Sequence, residues 1–169
     1  MKKIATIVAL SMFTAFTSQL AIAAQADNID VSNPFAREVP PGAPASASFM
    51  TIQNSSNEAI KITSADSEVA KVVELHTHTN DNGVMRMRQI PFIEVPARGT
   101  TELKPGGLHI MLIGPHQPLK KGQEVTVTLK FEDGSNKEIK MPVKSIMGMM
   151  KHKMEHDGMQ HHHGHMMNN

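Results

Sequence analysis

From Ile29 to Val143 the apolar positions come in short runs that alternate with polar residues, and residues that favour turns end each run. The segments that read as strands are Ile29-Asp30-Val31, Ala47 to Gln53, Ala59 to Thr63, Val69 to Thr79, Val84 to Ile90, Phe92 to Val95, Thr100 to Leu103, Leu108 to Ile113, Glu124 to Phe131 and Glu138 to Val143. Between them stand Asn33-Pro34, the proline-rich Val39-Pro40-Pro41-Gly42-Ala43-Pro44, Asn54-Ser55-Ser56-Asn57, Asn80-Asp81-Asn82-Gly83, Ala97-Arg98-Gly99, Lys104-Pro105-Gly106-Gly107, Gly114-Pro115 and Asp133-Gly134. No stretch carries a convincing helical period. Strands at this spacing predict an antiparallel β-sandwich or small barrel with Greek-key links.

The two ends break the pattern in different ways. Met1-Lys2-Lys3 is a basic start, Ile4 to Phe16 is an apolar run, and Ala21-Ile22-Ala23-Ala24 offers small residues for cleavage after Ala23 or Ala24. The run is shorter than the ~18 to 20 strongly apolar residues of a membrane span, so residues 1–24 are expected to be a signal peptide that sends the chain to a periplasm. At the other end, residues 145–169 hold seven methionines and six histidines without apolar periodicity. Such a composition cannot build a packed core and predicts a disordered His/Met-rich tail after a domain spanning 25–144.

Charge and cysteine content narrow the function classes. Loss of Lys2 and Lys3 with the signal takes the formal charge from +1 to −1. A near-neutral chain has no electrostatic footprint for nucleic acid or an anionic membrane. There are no cysteines, so stability must come from buried Val, Ile, Leu and Phe rather than from disulfides. No Ser-His-acid set, carboxylate pair or phosphate loop stands out, and an enzyme is not expected.

The candidate chemistry lies between His76 and Met111. His76, ten residues, Met87, twenty-one residues and then His109-Ile110-Met111 set out two imidazoles and two thioethers. Thioethers are soft donors, and this nitrogen-plus-sulfur set suits copper(I) better than zinc, calcium or magnesium. Without a cysteine thiolate, a blue-copper electron-transfer site is excluded. His109 and Met111 are two apart on a strand and share a face, whereas Leu108, Ile110 and Leu112 take the other. Val73 and Leu75 are expected to face the core, which turns Glu74, His76 and His78 outward into an accessible, rim-like site.

The hairpin has two readings. If Asn80 and Gly83 flank a two-residue loop, His76 faces Met87; if Asn82-Gly83 is the loop, His78 faces Met87 and His76 lies on the diagonal. His78 and Met85 are therefore rivals for the hairpin's two donors. Met50 and Met141 read as core, and His116, in the turn Gly114-Pro115-His116-Gln117-Pro118, as a surface residue.

The spacing His76-x10-Met87-x21-His109-x-Met111 resembles the copper-binding pattern of the periplasmic copper chaperones called PCuAC. The surrounding Val73-Glu74-Leu75-His76, Gly83-Val84-Met85-Arg86-Met87-Arg88 and Pro105-Gly106-Gly107-Leu108-His109-Ile110-Met111-Leu112 are similar to that family too, and the similarity runs from Ile29 to Val143. It implies a cupredoxin-like β-sandwich that binds copper(I) at His76, Met87, His109 and Met111, favouring His76 over His78. It also implies delivery of copper to the dinuclear copper centre of cytochrome c oxidase subunit II, alongside Sco-type thiol proteins. A periplasmic buffer or resistance protein that sequesters copper would use the same ligands. The tail resembles extensions for which a second site, for copper(II), has been proposed; its histidines are His152, His156, His161, His162, His163 and His165. Binding is expected to weaken below about pH 6, as neutral imidazole becomes scarce near its ordinary pKa of ~6.5.

Overall fold

A computed structural model describes residues 23–145. Residues 1–22, in the segment expected to be a signal, and residues 146–169, in the expected tail with its six candidate histidines, lie outside the described residues. After a short 3-10 turn, Gln25–Asn28, come ten strands: β1 Ile29–Arg37, β2 Ala45–Asn54, β3 Ile60–Asp66, β4 Ala70–Asp81, β5 Val84–Gln89, β6 Ile93–Val95, β7 Thr100–Leu103, β8 His109–Pro115, β9 Glu124–Phe131 and β10 Asn136–Lys144.

Alternation decides what each strand buries. In β9, Val125, Val127, Leu129 and Phe131 point inward, and in β10 Ile139, Met141 and Val143 do so, with half-buried or exposed residues between them. β3 keeps Ile60 and Ile62 inside and then shifts register before Ala65, which is also buried. Such a bulge lets a strand change its inward parity without leaving the sheet. Met50 and Met141 are core residues, 2% and 0% exposed.

Hydrogen bonding follows one path, β5-β4-β8-β2-β1-β10-β9-β3-β6, and β7 pairs with the second half of β2. The path is antiparallel except where β1 meets β10, with Ala36 beside Val143 and Arg37 beside Lys144. β5 and β6 end the path unjoined among the described residues, so the sheet is not a closed barrel. It folds over instead, and the apolar faces of its two halves enclose one core that includes Ile29, Ile52, Ile62, Ile110, Leu129 and Met141. The all-β sandwich read from the sequence is the fold.

β1 runs on through Asn33-Pro34 instead of stopping at Val31. Its pairing with β2 is irregular between Ser32 and Phe35, where Asn33 takes a φ of 52°. Asparagine tolerates that left-handed backbone, so the strand kinks and resumes. The resumed part matters for the site, because it brings Phe35 and Arg37 alongside Phe49 and Ala47 of β2.

Candidate functional site

β4 and β8 form the centre of the site. His76 lies directly across from His109, Leu75 from Ile110 and Glu74 from Met111. Directly opposed residues share a face. Glu74, His76, His109 and Met111 therefore stand on the outer side of the sheet, while Leu75, Ile110 and Leu112 are buried in the core.

The hairpin adopts the register with Asn82-Gly83 as its loop. Asp81 pairs with Val84, His78 with Met87 and His76 with Gln89. Asn82 and Gly83 have φ of 52° and 86°, the backbone that a type I′ turn requires. Asn80 Oδ1 accepts the Gly83 N–H at 2.7 Å and braces the turn. His78 thus faces Met87, and His76 is on the diagonal.

That lattice gives His76 a distinct place. It is directly beside His109 and diagonal to Met87 and Met111. Direct neighbours have Cβ atoms ~4.5–5.5 Å apart and diagonal ones roughly 7–8 Å, within reach of long side chains. His76 adjoins all three of the other donors; His78 adjoins only Met87 and, diagonally, His109. The His76 and His109 rings are 5.8 Å apart between centroids, and the His78 and His109 rings 5.0 Å. A cavity of about 260 Å³ opens here, lined by His78, Met87, His109 and Met111 together with Arg37 and Phe49. Met85 faces the same side from the hairpin tip, 55% exposed, and does not line the cavity. His116 lies beyond the end of β8, outside the site, its N–H donated to the Val69 carbonyl.

Hydrogen bonds set which nitrogen each ring offers. His109 Nδ1 lies 2.9 Å from the Gly107 carbonyl oxygen. A carbonyl only accepts, so Nδ1 carries the proton and Nε2 keeps the free lone pair. His76 Nε2 is 2.7 Å from Glu74 Oε2, which leaves Nδ1, buried and without a hydrogen-bond partner. A buried polar atom without a partner is costly, and a lone pair in that position is what a metal ion would satisfy. Imidazole ligands commonly donate their other N–H to a carboxylate or carbonyl in this way.

Burial grades the donors. His109 is 2% exposed and Met87 is 48% exposed, with His76, His78 and Met111 between. Desolvation holds the His109 imidazole below its ordinary range; repulsion from His78, His76 and Arg37 adds to this, and the Gly107 hydrogen bond opposes it. A ligand that stays neutral stays able to bind metal. Among the described residues no three histidine, aspartate or glutamate side chains converge as a metal site.

Arg37, Phe49 and the Gly107 carbonyl had no signal in the sequence. Phe49 sits 6.3 Å from His109 and 5.1 Å from Phe35, ring centroid to centroid, and covers the flank of the site. Strand pairing across β8, β2 and β1 brings these groups together.

Comparison with known proteins adds relatives to this geometry. The family described as "Putative lipoprotein LpqE-like" matches residues 29–143. "Putative lipoprotein Lxx21020" of Leifsonia xyli subsp. xyli is 35% identical over 125 residues, which cover 73% of this chain and 74% of that protein. The solution structure of apo-DR1885 from Deinococcus radiodurans is 34% identical with a TM-score of 0.56, covering 86% of this chain and 97% of that one. The CuI form of DR1885 is 37% identical with a TM-score of 0.56, covering 66% and 75%. A copper-bound PCuAC domain from PmoF2 is 20% identical with a TM-score of 0.59, covering 70% and 93%, a likeness of fold alone.

Proposed function

The chain belongs to the LpqE-like family, and on that footing we propose that it carries copper(I) as cargo on His76, Met87, His109 and Met111. The observation that carries this reading is the place of His76: beside His109, diagonal to both thioethers, with a buried Nδ1 that has no hydrogen-bond partner. The likeness to DR1885, solved in a CuI form, supports it. Two thioethers favour the soft, reduced ion, and two imidazoles strengthen its binding.

The role is that of an exported copper chaperone, a binding protein rather than an enzyme. Met87, half exposed on an edge strand, is the donor an acceptor could displace first, because ligand exchange needs access to the ion. The proposed acceptor is the dinuclear copper centre of cytochrome c oxidase subunit II, with Sco-type thiol proteins as companions in its assembly. Export through cleavage of residues 1–24, and a copper(II) site on the tail histidines, belong to the same proposal. Among the described residues no helix is long and apolar enough to cross a membrane.

Anaerobic copper(I) titration against a competing chelator tests the site. The domain ending at Ser145 should hold one copper, and its Met87→Ala/Met111→Ala double variant should hold none. No binding by the unaltered domain would end the copper reading of the sandwich. Transfer to the isolated copper domain of subunit II then separates a chaperone from a buffer: a buffer retains the ion.

A further inference from the structure

The site contains one imidazole more than the four proposed ligands use. His78 lines the cavity with Met87, His109 and Met111, faces Met87 directly across the hairpin, and its ring is nearer to that of His109 than the His76 ring is. Its Nδ1 approaches the Gly107 carbonyl at 3.4 Å, the same oxygen that fixes His109. One acceptor thus orients two rings, and both turn Nε2 away from it. Along β4, His78 lies two residues closer to the hairpin tip than His76, and β8 begins opposite His76. The turn residues Pro105 and Gly106 also line the cavity, and His76 does not.

We propose that His78 is a fifth donor to the cargo, which is held by Met87, His109 and Met111 together with either His76 or His78. This rests on the copper reading of the same site. With His76 the ion sits beside His109 at the centre of the donor lattice; with His78 it sits in the cavity that His78, Met87, His109 and Met111 line. The exchange breaks the bond from copper to His76 Nδ1 and forms one to His78 Nε2. Both rings are neutral imidazoles, so copper stays copper(I), the charge is unchanged and no proton moves. Glu74 keeps the Nε2–H of His76 throughout. At each moment two imidazoles and two thioethers are engaged.

Nitrogen-15 long-range correlation spectra of the full mature chain, with one equivalent of copper(I) under anaerobic conditions, report each imidazole nitrogen separately. The expected result is that His78 Nε2 moves from its copper-free position together with His109 Nε2 and His76 Nδ1. His78→Ala removes one of two bound forms and should weaken copper(I) binding by about twofold where the two are equally populated. If the nitrogens of His78 stay at their copper-free positions while those of His76 and His109 shift, the fifth donor is refuted and the four-ligand site stands. If none of the three rings shifts, the copper reading of the sandwich fails with it.

Discussion

His109 is the most deeply buried donor, and its environment makes a pH-dependent prediction. Desolvation, the largest cause, keeps its folded-state pKa below the ordinary imidazole value of ~6.5 that applies to the unfolded chain. Below that value the unfolded chain takes up the proton first, so this residue's share of stability is present at neutral pH and is lost as pH falls toward the folded pKa. The midpoint of urea unfolding of the copper-free protein should fall from pH 7.5 to pH 5. His109→Gln should reduce that fall, and an equal fall in the variant would remove His109 as its cause. The general expectation of weaker copper binding below about pH 6 shifts for this ligand, because it stays neutral further into acid. Glu74 makes a second prediction. It holds His76 Nε2 at 2.7 Å, so Glu74→Ala should release the ring and lower copper(I) affinity by about ten- to a hundredfold. Glu74→Gln, which keeps an acceptor, should lose less, and a competition titration reads both. The sequence pointed to Glu74 as outward-facing by strand alternation, but only the structure shows what its carboxylate holds.

The β4–β5 hairpin carries the site's geometry as an element, since its register alone decides which histidine meets Met87. One residue inserted between Asn82 and Gly83 would undo the two-residue turn and slide β5 past β4. A slip of one position turns every side chain to the opposite face, which would move Met87 away from His109. The expected outcome is lost copper(I) binding in a protein that still unfolds cooperatively, because β5 buries none of its residues in the core. Unchanged affinity would show that Met87 is not a ligand. The hairpin's existence and its Asn-Gly turn signal were legible in the sequence. Its register was not, because Asn80-Asp81-Asn82-Gly83 contains two placements for a two-residue loop, and β5, which buries none of its residues, offers no core face to choose between them. β1 was likewise legible only to Val31: proline after Asn33 reads as a strand end, whereas the positive φ at Asn33 lets the strand continue.

Across the whole molecule the core and the proposed site occupy opposite faces of one half of the sheet, and the two should respond to different substitutions. Met141, fully buried in β10, should cost about 2–5 kcal/mol of stability as Met141→Ala, with one copper(I) still bound below the unfolding transition. The end of β10 lies in register with the proposed site. Met111 pairs with Ala47, and Arg37 pairs with Lys144. The register of β1 on β2, with Ala36 opposite Ser48, places Arg37 opposite Ala47 and completes a row from Met111 to Lys144. Lys144 also sits with Nζ 5.4 Å from the centre of the Phe35 ring, on the face that carries the site. Three strand spacings make roughly 14 Å from Met111 to the end of β10. His152 follows eight residues after Lys144, and eight residues can span up to about 26–29 Å, so the covalent chain from Lys144 is long enough to bring tail imidazoles to the site. Imidazole-rich sets favour copper(II), whereas the thioethers of the sandwich favour copper(I). Deleting residues 145–169 should therefore abolish copper(II) binding, read by titration under air, and leave one copper(I) per chain, read anaerobically. An unchanged copper(II) stoichiometry after the deletion would move that ion from the tail to the sandwich.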